Sequence, residues 1–263
     1  MKGILIGGAA LAVLASSPAF AQSAFDGTWK ADVNSAQMPK KPDVFAIKDG
    51  IYTCTTSVPA IKIKADGTDQ PVTGHPYYDT EAVKVVNDHT VQFTRKKGGK
   101  VVGTTTDTVS ADGKTMTFEY SDSSNTNAAP VTGKGTDTRV GAMPAGAHAI
   151  SGSWRTTSFS TISDNGLTVT FKVSGDTLTM TSPTGQKYTA KMDGSDTPMS
   201  GDPGVTMVSV KKMGPNAVQE TDKRGSKVVS VATMTVSADG KKMHVVVQDK
   251  ERGTSMSYDQ NKQ

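Results

Sequence analysis

The stretch Gly74-His75-Pro76-Tyr77-Tyr78-Asp79 places an ionisable ring beside two tyrosines. A histidine changes its charge near neutral pH and can act as an acid or a base, while tyrosine rings can stack on a ligand. Loops often carry function, but two tyrosines can also pack over the end of a domain or against another one. His75, Tyr77 and Tyr78 are therefore candidate ligand-binding residues.

Other residues that could do chemistry are scattered. The remaining histidines, His89, His148 and His244, lie in separate segments without the spacing of a zinc site. No Gly-x-Ser-x-Gly elbow and no phosphate-binding loop occurs. Cys54 is either a reactive thiol or a buried small apolar residue. We therefore predict a protein that is not an enzyme, with no cofactor and no metal site.

An internal repeat organises the elements that must position these residues. TVSADGKTM begins at Thr108 and TVSADGKKM begins at Thr235, 127 positions later. The same shift aligns the two halves without a gap over about 50 residues, which indicates duplicated domains. The sequence predicts a first unit at 22–141, a linker rich in Pro, Gly and Ala at 142–147 and a second unit at 148–263.

Each unit alternates apolar and polar residues with the period of a β-strand. Met116, Phe118 and Tyr120 share one face, and Gly and Asp fill the turns between such segments. This pattern predicts an all-β protein with about eight to ten strands per unit. A meander of that size avoids exposed edges by closing. We expect two tandem antiparallel up-and-down β-barrels, with little or no helix outside a signal peptide.

The N-terminal segment 1–21 has the pattern of a signal peptide: a positive charge, a short apolar run and a small-x-small cleavage site. Cleavage would leave a chain without an integral membrane span, located in a Gram-negative periplasm or secreted. The 29 Lys and Arg residues are scattered and nearly balanced by 25 Asp and Glu residues, so no nucleic-acid partner is indicated. Nothing in the sequence fixes the oligomeric state.

Both units begin with Gly-x-Trp, at 27–29 and at 152–154. Such a strand, followed by a meander of about 110–120 residues, resembles the start of the lipocalins and fatty-acid-binding proteins, the calycins. The whole chain resembles bacterial secreted proteins with tandem lipocalin-like units. The resemblance implies that Trp29 and Trp154 close the barrel ends and that Arg139 is the basic residue covering the ring in the first unit. The second unit departs, because no Arg stands near Tyr258 and Arg252 comes early.

A calycin resemblance also implies a cavity for a small apolar or amphipathic molecule. The first unit is rich in aromatic residues, whereas the second is rich in methionine. Methionine fills irregular core gaps and also suits tolerant pockets, so the second unit is either a softer core or a more tolerant site. The candidate ligand-binding residues are His75, Tyr77, Tyr78, Phe93, Phe118, Tyr120, Met207 and Met234.

These observations favour a periplasmic binding protein for a small apolar or amphipathic ligand. The first alternative is a structural or interaction module of the cell envelope, with barrels filled by their own side chains. The second is an enzyme that uses an open barrel mouth with His75 as acid or base. An eight-stranded barrel can be solid or hollow, so the volume of its cavity distinguishes the first two.

Overall fold

A computed structural model describes residues 23–125 and 129–263; the predicted signal peptide at 1–21 lies outside them. The described chain is all-β, with one short helix, α1 (Asp164–Leu167). Its strands form two ten-stranded antiparallel sheets, and each sheet curls into a nearly closed barrel. The predicted fold class is therefore confirmed. None of the helical segments in the described part of the chain has the length and apolar character needed to cross a membrane.

Barrel I is built from one continuous stretch of chain. Its strands follow one another around the sheet, and β11 then pairs with β2, which leaves a single gap between β4 and β5. The strands are β2 (Asp43–Lys48), β3 (Ile51–Cys54), β4 (Ile61–Lys64), β5 (Gln70–Pro71), β6 (Thr80–Asn87), β7 (Thr90–Lys97), β8 (Lys100–Val109), β9 (Thr115–Asp122), β10 (Val131–Arg139) and β11 (Gly152–Ile162).

Barrel II combines the N-terminal strand with the C-terminal part of the chain. In this barrel β1 lies between β12 and β20, and the gap falls between β14 and β15. The strands are β1 (Gly27–Gln37), β12 (Thr168–Ser174), β13 (Thr177–Thr181), β14 (Lys187–Lys191), β15 (Asp193–Pro198), β16 (Met207–Lys212), β17 (Ala217–Arg224), β18 (Lys227–Val236), β19 (Lys242–Asp249) and β20 (Thr254–Lys262).

The two repeats exchange their first strands. The N-terminal repeat supplies β1 to barrel II, and the C-terminal repeat supplies β11 to barrel I. The predicted units 22–141 and 148–263 therefore do not coincide with the barrels, although they follow the repeat. Sequence similarity locates copies of a unit, but it contains no information on which copy completes which sheet.

The repeated nonapeptide forms the same hairpin turn in both barrels. It joins β8 to β9 in barrel I and β18 to β19 in barrel II. Gly113 and Gly240 adopt φ of 70° and 69°, a conformation that costs little only for glycine. The Ser110 hydroxyl donates to Asp112 Oδ1 at 2.6 Å, and Ser237 repeats this bond to Asp239. The shared residues are thus the ones that the turn requires.

Each barrel is closed at one end by a tryptophan under a basic side chain. In barrel I the Trp154 ring is 1% exposed, and its Nε1 donates to the Ile150 carbonyl at 2.7 Å. The Arg139 guanidinium lies 4.0 Å from the ring centroid. It also donates to the carbonyl oxygens of Gly113, Ser151 and Ala149 at 2.5–2.6 Å. Arg139 therefore ties the β8–β9 turn to the start of β11.

Barrel II closes in the same way with different residues. Trp29 is fully buried, donates to the Phe25 carbonyl at 2.8 Å, and has Lys262 Nζ at 5.1 Å from its ring centroid. The expectation that Arg139 covers the tryptophan of its own repeat is wrong, because strand exchange places Trp29 in the other barrel. Lys262 takes the covering position that the sequence of the second unit left without an arginine.

Strand exchange predicts which fragments fold. A fragment of residues 40–165 contains all ten strands of barrel I and its complete core, so it should melt cooperatively. A fragment of residues 22–145 follows the repeat but lacks β11 and Trp154, so it should not. Calorimetry of both fragments checks this expectation. A cooperative melt for 22–145 and none for 40–165 would contradict the pairing described above.

The two closures should differ in strength. Arg139→Ala removes three charged hydrogen bonds and a stacked cation and should lower the free energy of unfolding by about 3 kcal/mol. Lys262→Ala removes a longer contact to one ring and a weak 3.4 Å bond to the Ala24 carbonyl, and should cost about 1 kcal/mol. Urea denaturation followed by tryptophan fluorescence measures both. Equal losses would contradict the difference in geometry.

Candidate ligand-binding site

Several predicted ligand-binding residues meet in a cleft at the mouth of barrel I. Tyr77, Tyr78 and Tyr120 line this cleft of about 440 Å³ together with Arg95. Its far wall comes from barrel II, through Gln186 and Asp202. The sequence thus identified residues that do converge, but the space they line is an open cleft of mixed polarity between the barrels.

The 74–79 loop also holds the barrels together. The Tyr77 hydroxyl donates to Asp202 Oδ1 at 3.0 Å, and a Cβ added to Gly204 would lie 2.2 Å from the Tyr77 hydroxyl oxygen. The His75 ring stacks on Tyr78 with centroids 4.9 Å apart. Burial, followed by the charge of Arg95, holds the pKa of His75 below its ordinary value. Tyr77 therefore packs against the other barrel, which was the second interpretation of these tyrosines.

Below this cleft, the interior of barrel I is occupied by its own side chains. Phe93 is 3% exposed and meets Tyr52 edge-on, with ring centroids 5.3 Å apart. Beside them the fully buried Glu81 accepts from Arg95 Nε at 2.9 Å. Cys54 is buried in the same core. Phe93 and Cys54 are thus core residues of barrel I.

Barrel I also holds two desolvated carboxyl groups that form no ion pair within the described residues, Asp107 on β8 and Asp137 on β10. Asp107 is 7% exposed, and desolvation, strengthened by the nearby Asp137, raises its pKa to about 7. Desolvation also raises the pKa of Asp137 to about 6, and its Oδ1 atom has no hydrogen-bond partner. Both groups bind protons more tightly in the folded chain than in the unfolded one.

Barrel II contains a cavity of about 470 Å³ inside the sheet. Most of its wall is apolar and comes from β1, β12, β13, β18, β19 and β20, while β11 and α1 contribute to its rim. The apolar wall residues are Ala31, Val33, Ala36, Met38, Phe159, Ile162, Leu167, Val169, Phe171, Met180, Ala232, Met234, Val245, Val247 and Met256. The strand exchange therefore builds both one wall of the cavity, through β1, and its rim, through β11.

A small polar group interrupts this apolar wall. Glu220 and Asp222 lie two residues apart on β17, where period two turns both side chains inward. The Tyr188 hydroxyl donates to Glu220 Oε2, and the Ser230 hydroxyl donates to Asp222 Oδ2. Desolvation, followed by the repulsion between the two carboxylates, raises the pKa of Glu220. Desolvation raises the pKa of Asp222 as well.

The remaining predicted residues divide between the barrels. Met234 lies on the wall of the barrel II cavity and is 5% exposed. Met207 lies at the start of β16, opposite Pro198 and Lys223, and is not part of that wall. Phe118 packs edge-on against Phe159 with centroids 5.6 Å apart. The candidate set thus does not form one site.

Sequence reasoning missed several polar residues of the cavity, among them Glu220, Asp222, Tyr258 and Gln260. A signal for two of them was present. The repeat register of 127 aligns Phe93 with Glu220 and Arg95 with Asp222, and strand alternation places both positions on the inner face. A carboxylate on an apolar face of a strand marks either a paired group or a site.

Comparisons with protein families, with curated proteins and with solved structures give no match for this chain.

The buried aspartates of barrel I predict a pH-dependent stability. Because folding raises their pKa, the folded chain holds more protons than the unfolded one between about pH 4 and pH 7, and stability falls as the pH rises through that range. Asp107→Asn should reduce the fall in melting temperature between pH 5 and pH 8. Thermal melts across that range provide the measurement.

The matched control is Asp112→Asn in the exposed turn of the same barrel. Hydrogen bonds from Ser110 and Lys114 hold the pKa of Asp112 below its ordinary value, so its titration lies under pH 5. This variant should keep the full fall between pH 5 and pH 8. An equally large fall in Asp107→Asn would show that Asp107 is not the group responsible.

Proposed function

We propose that this protein binds a small apolar or amphipathic molecule inside barrel II. The observation that supports this function best is the cavity itself, about 470 Å³ with a mainly apolar wall. Small-molecule sites usually occupy about 300–1,000 Å³ and combine apolar walls with a few placed polar groups. Glu220, Asp222, Tyr258 and Gln260 would be those polar groups.

The methionines support a site that tolerates several ligand shapes. Met180, Met234 and Met256 all line the cavity, and unbranched thioether side chains can repack around different apolar surfaces. The second of the two interpretations of the methionine-rich unit, a tolerant site, is therefore the one adopted here.

Barrel I would act as the scaffold of this protein. Its interior holds Tyr52, Phe93 and the Glu81–Arg95 ion pair, and its loop at 74–79 contacts barrel II. These contacts support the alternative of a barrel filled by its own side chains, but they do so for barrel I only. Its complete sheet would provide β11, whose end forms part of the rim of the barrel II cavity.

The lipocalin-like assignment and the cellular location belong to the same proposal. The tryptophan and basic residue at each closed end, Trp154 with Arg139 and Trp29 with Lys262, support a relationship to calycins. The leader pattern at 1–21 supports export to a periplasm or beyond the cell. A small molecule in such a compartment would be bound without catalysis.

Filling the cavity should abolish binding. Ala232 lies on the cavity wall on β18, and Ala232→Trp would place an indole in the space that the ligand needs. We expect the unsubstituted protein to bind the neutral probe N-phenylnaphthylamine saturably, and the variant to bind it at least about tenfold more weakly, a loss of about 1.4 kcal/mol. A fluorescence titration measures both affinities.

Thr235→Trp is the matched control, because Thr235 is exposed on the same strand. It adds the same ring outside the barrel and should bind the probe as the unsubstituted protein does. Equal affinity in all three proteins would place binding elsewhere, and no saturable binding in any of them would contradict the proposed function.

A further inference from the structure

The charged residues that line the barrel II cavity are all acidic. Asp32, Glu220 and Asp222 all line the cavity, and within 23–125 and 129–263 no lysine or arginine belongs to its wall. A carboxylate removed from water is costly unless a cation or several donors compensate it. The wall therefore lacks the positive charge that would balance it.

The equivalent positions of barrel I show what such a balance looks like. There Glu81 on β6 faces Arg95 on β7 across the sheet, and the two side chains form an ion pair at 2.9 Å. The equivalent residues of barrel II lie 127 positions later in the sequence. There Val208 replaces the glutamate and lies opposite Asp222, which replaces the arginine. At this pair of positions barrel I neutralises its carboxylate internally, whereas barrel II leaves Asp222 facing the cavity.

Two acceptors in the cavity wall also lack donors. Asp222 Oδ1 and Gln260 Oε1 are buried and have no hydrogen-bond partner. Gln260 is only 6% exposed, and both residues line the cavity. Buried polar atoms are nearly always paired, because an unpaired one costs about 1–3 kcal/mol. A protonated Glu220 can donate to Asp222, whereas no described group of the protein donates to Gln260 Oε1.

We propose that the ligand of barrel II is a cationic amphiphile, with a primary ammonium group toward Asp222 and Gln260 and an apolar tail among the methionines. This inference rests on the proposed function and specifies the class of ligand for the same cavity. An ammonium group supplies both the missing charge and the missing donors, since it carries three N–H groups and accepts no hydrogen bonds. A carboxylate ligand supplies neither and would be repelled by the wall.

Binding of an ammonium should release a proton. Without a cation, desolvation raises the pKa of both carboxyl groups and the charge of Asp222 raises that of Glu220 further, whereas a cation beside them favours the ionised forms. The other titratable groups that face them are Asp32, Tyr188, Asp202 and Tyr258. The pKa values of both tyrosines lie above their ordinary range, so these rings stay protonated between pH 5 and pH 8.

The test compares four ligands with the same alkyl chain and different head groups, titrated by calorimetry into the full chain at pH 7.5. They are decylamine, decyltrimethylammonium, decanol and decanoate. Decylamine should bind at least about tenfold more tightly than decanol, and decanoate should bind most weakly. Decyltrimethylammonium has the charge without the N–H donors and should lie between decylamine and decanol.

The carboxylates are tested by Glu220→Gln with Asp222→Asn, which should reduce decylamine to the affinity of decanol. Asp239→Asn is the matched control, because it removes one negative charge from an exposed turn of the same barrel and should change nothing. If the double variant does not fold, the pH dependence of the unsubstituted protein decides. Decylamine affinity should rise from pH 5 to pH 8 while decanol affinity stays constant.

The outcomes separate this inference from the proposed function. Equal binding of decanol and decylamine, or tightest binding of decanoate, would overturn the cationic ligand and leave barrel II as a binding site for apolar molecules. Decylamine binding that is independent of both pH and the carboxylates would also overturn it. Absence of saturable binding for all four ligands and for N-phenylnaphthylamine would overturn both.

Discussion

The exchange of first strands between the repeats is the constraint on which the rest of the structure depends. β1 is hydrogen-bonded between β12 and β20, and β11 is hydrogen-bonded between β10 and β2, so neither repeat can close a barrel alone. Each exchanged strand carries the tryptophan that closes the barrel it enters. The chain must therefore cross twice between the barrels, and these crossings bring β11 and α1 to the rim of the barrel II cavity.

Within this nearly symmetric frame, a few inward positions make the barrels different. Where barrel I has Glu81 opposite Arg95, barrel II has Val208 opposite Asp222. Where barrel I has the bulky Phe93, barrel II has Glu220 next to the cavity. Aromatic rings and an internal ion pair fill one barrel. Flexible methionines and acidic side chains line the space in the other. The two copies thus share the scaffold and differ at a few inward positions.

The sequence predicted the all-β class, the repeat, the hairpin at the nonapeptide and the two closing tryptophans, because turn residues, alternation and internal similarity are local signals. It assigned Arg139 to Trp29, whereas the structure pairs Arg139 with Trp154. The exchange leaves no local signal, because it changes only which barrel a strand joins. The site was predicted in part: Met234 lines the cavity, while Tyr77 and Tyr78 line a separate cleft. Glu220 and Gln260 were missed because a polar residue on an inner face has meaning only once the cavity is known.

The proposed difference between the barrels is that barrel II binds a ligand among its methionines while barrel I does not. The most direct measurement is NMR of methionine methyl groups during a decylamine titration. Met180, Met234 and Met256 line the cavity, whereas Met116 is in the core of barrel I and Met213 is exposed. The account predicts saturable shifts for the first three methyl groups and unchanged positions for the other two. Unchanged cavity methyl groups, or equal shifts at Met116, would contradict it.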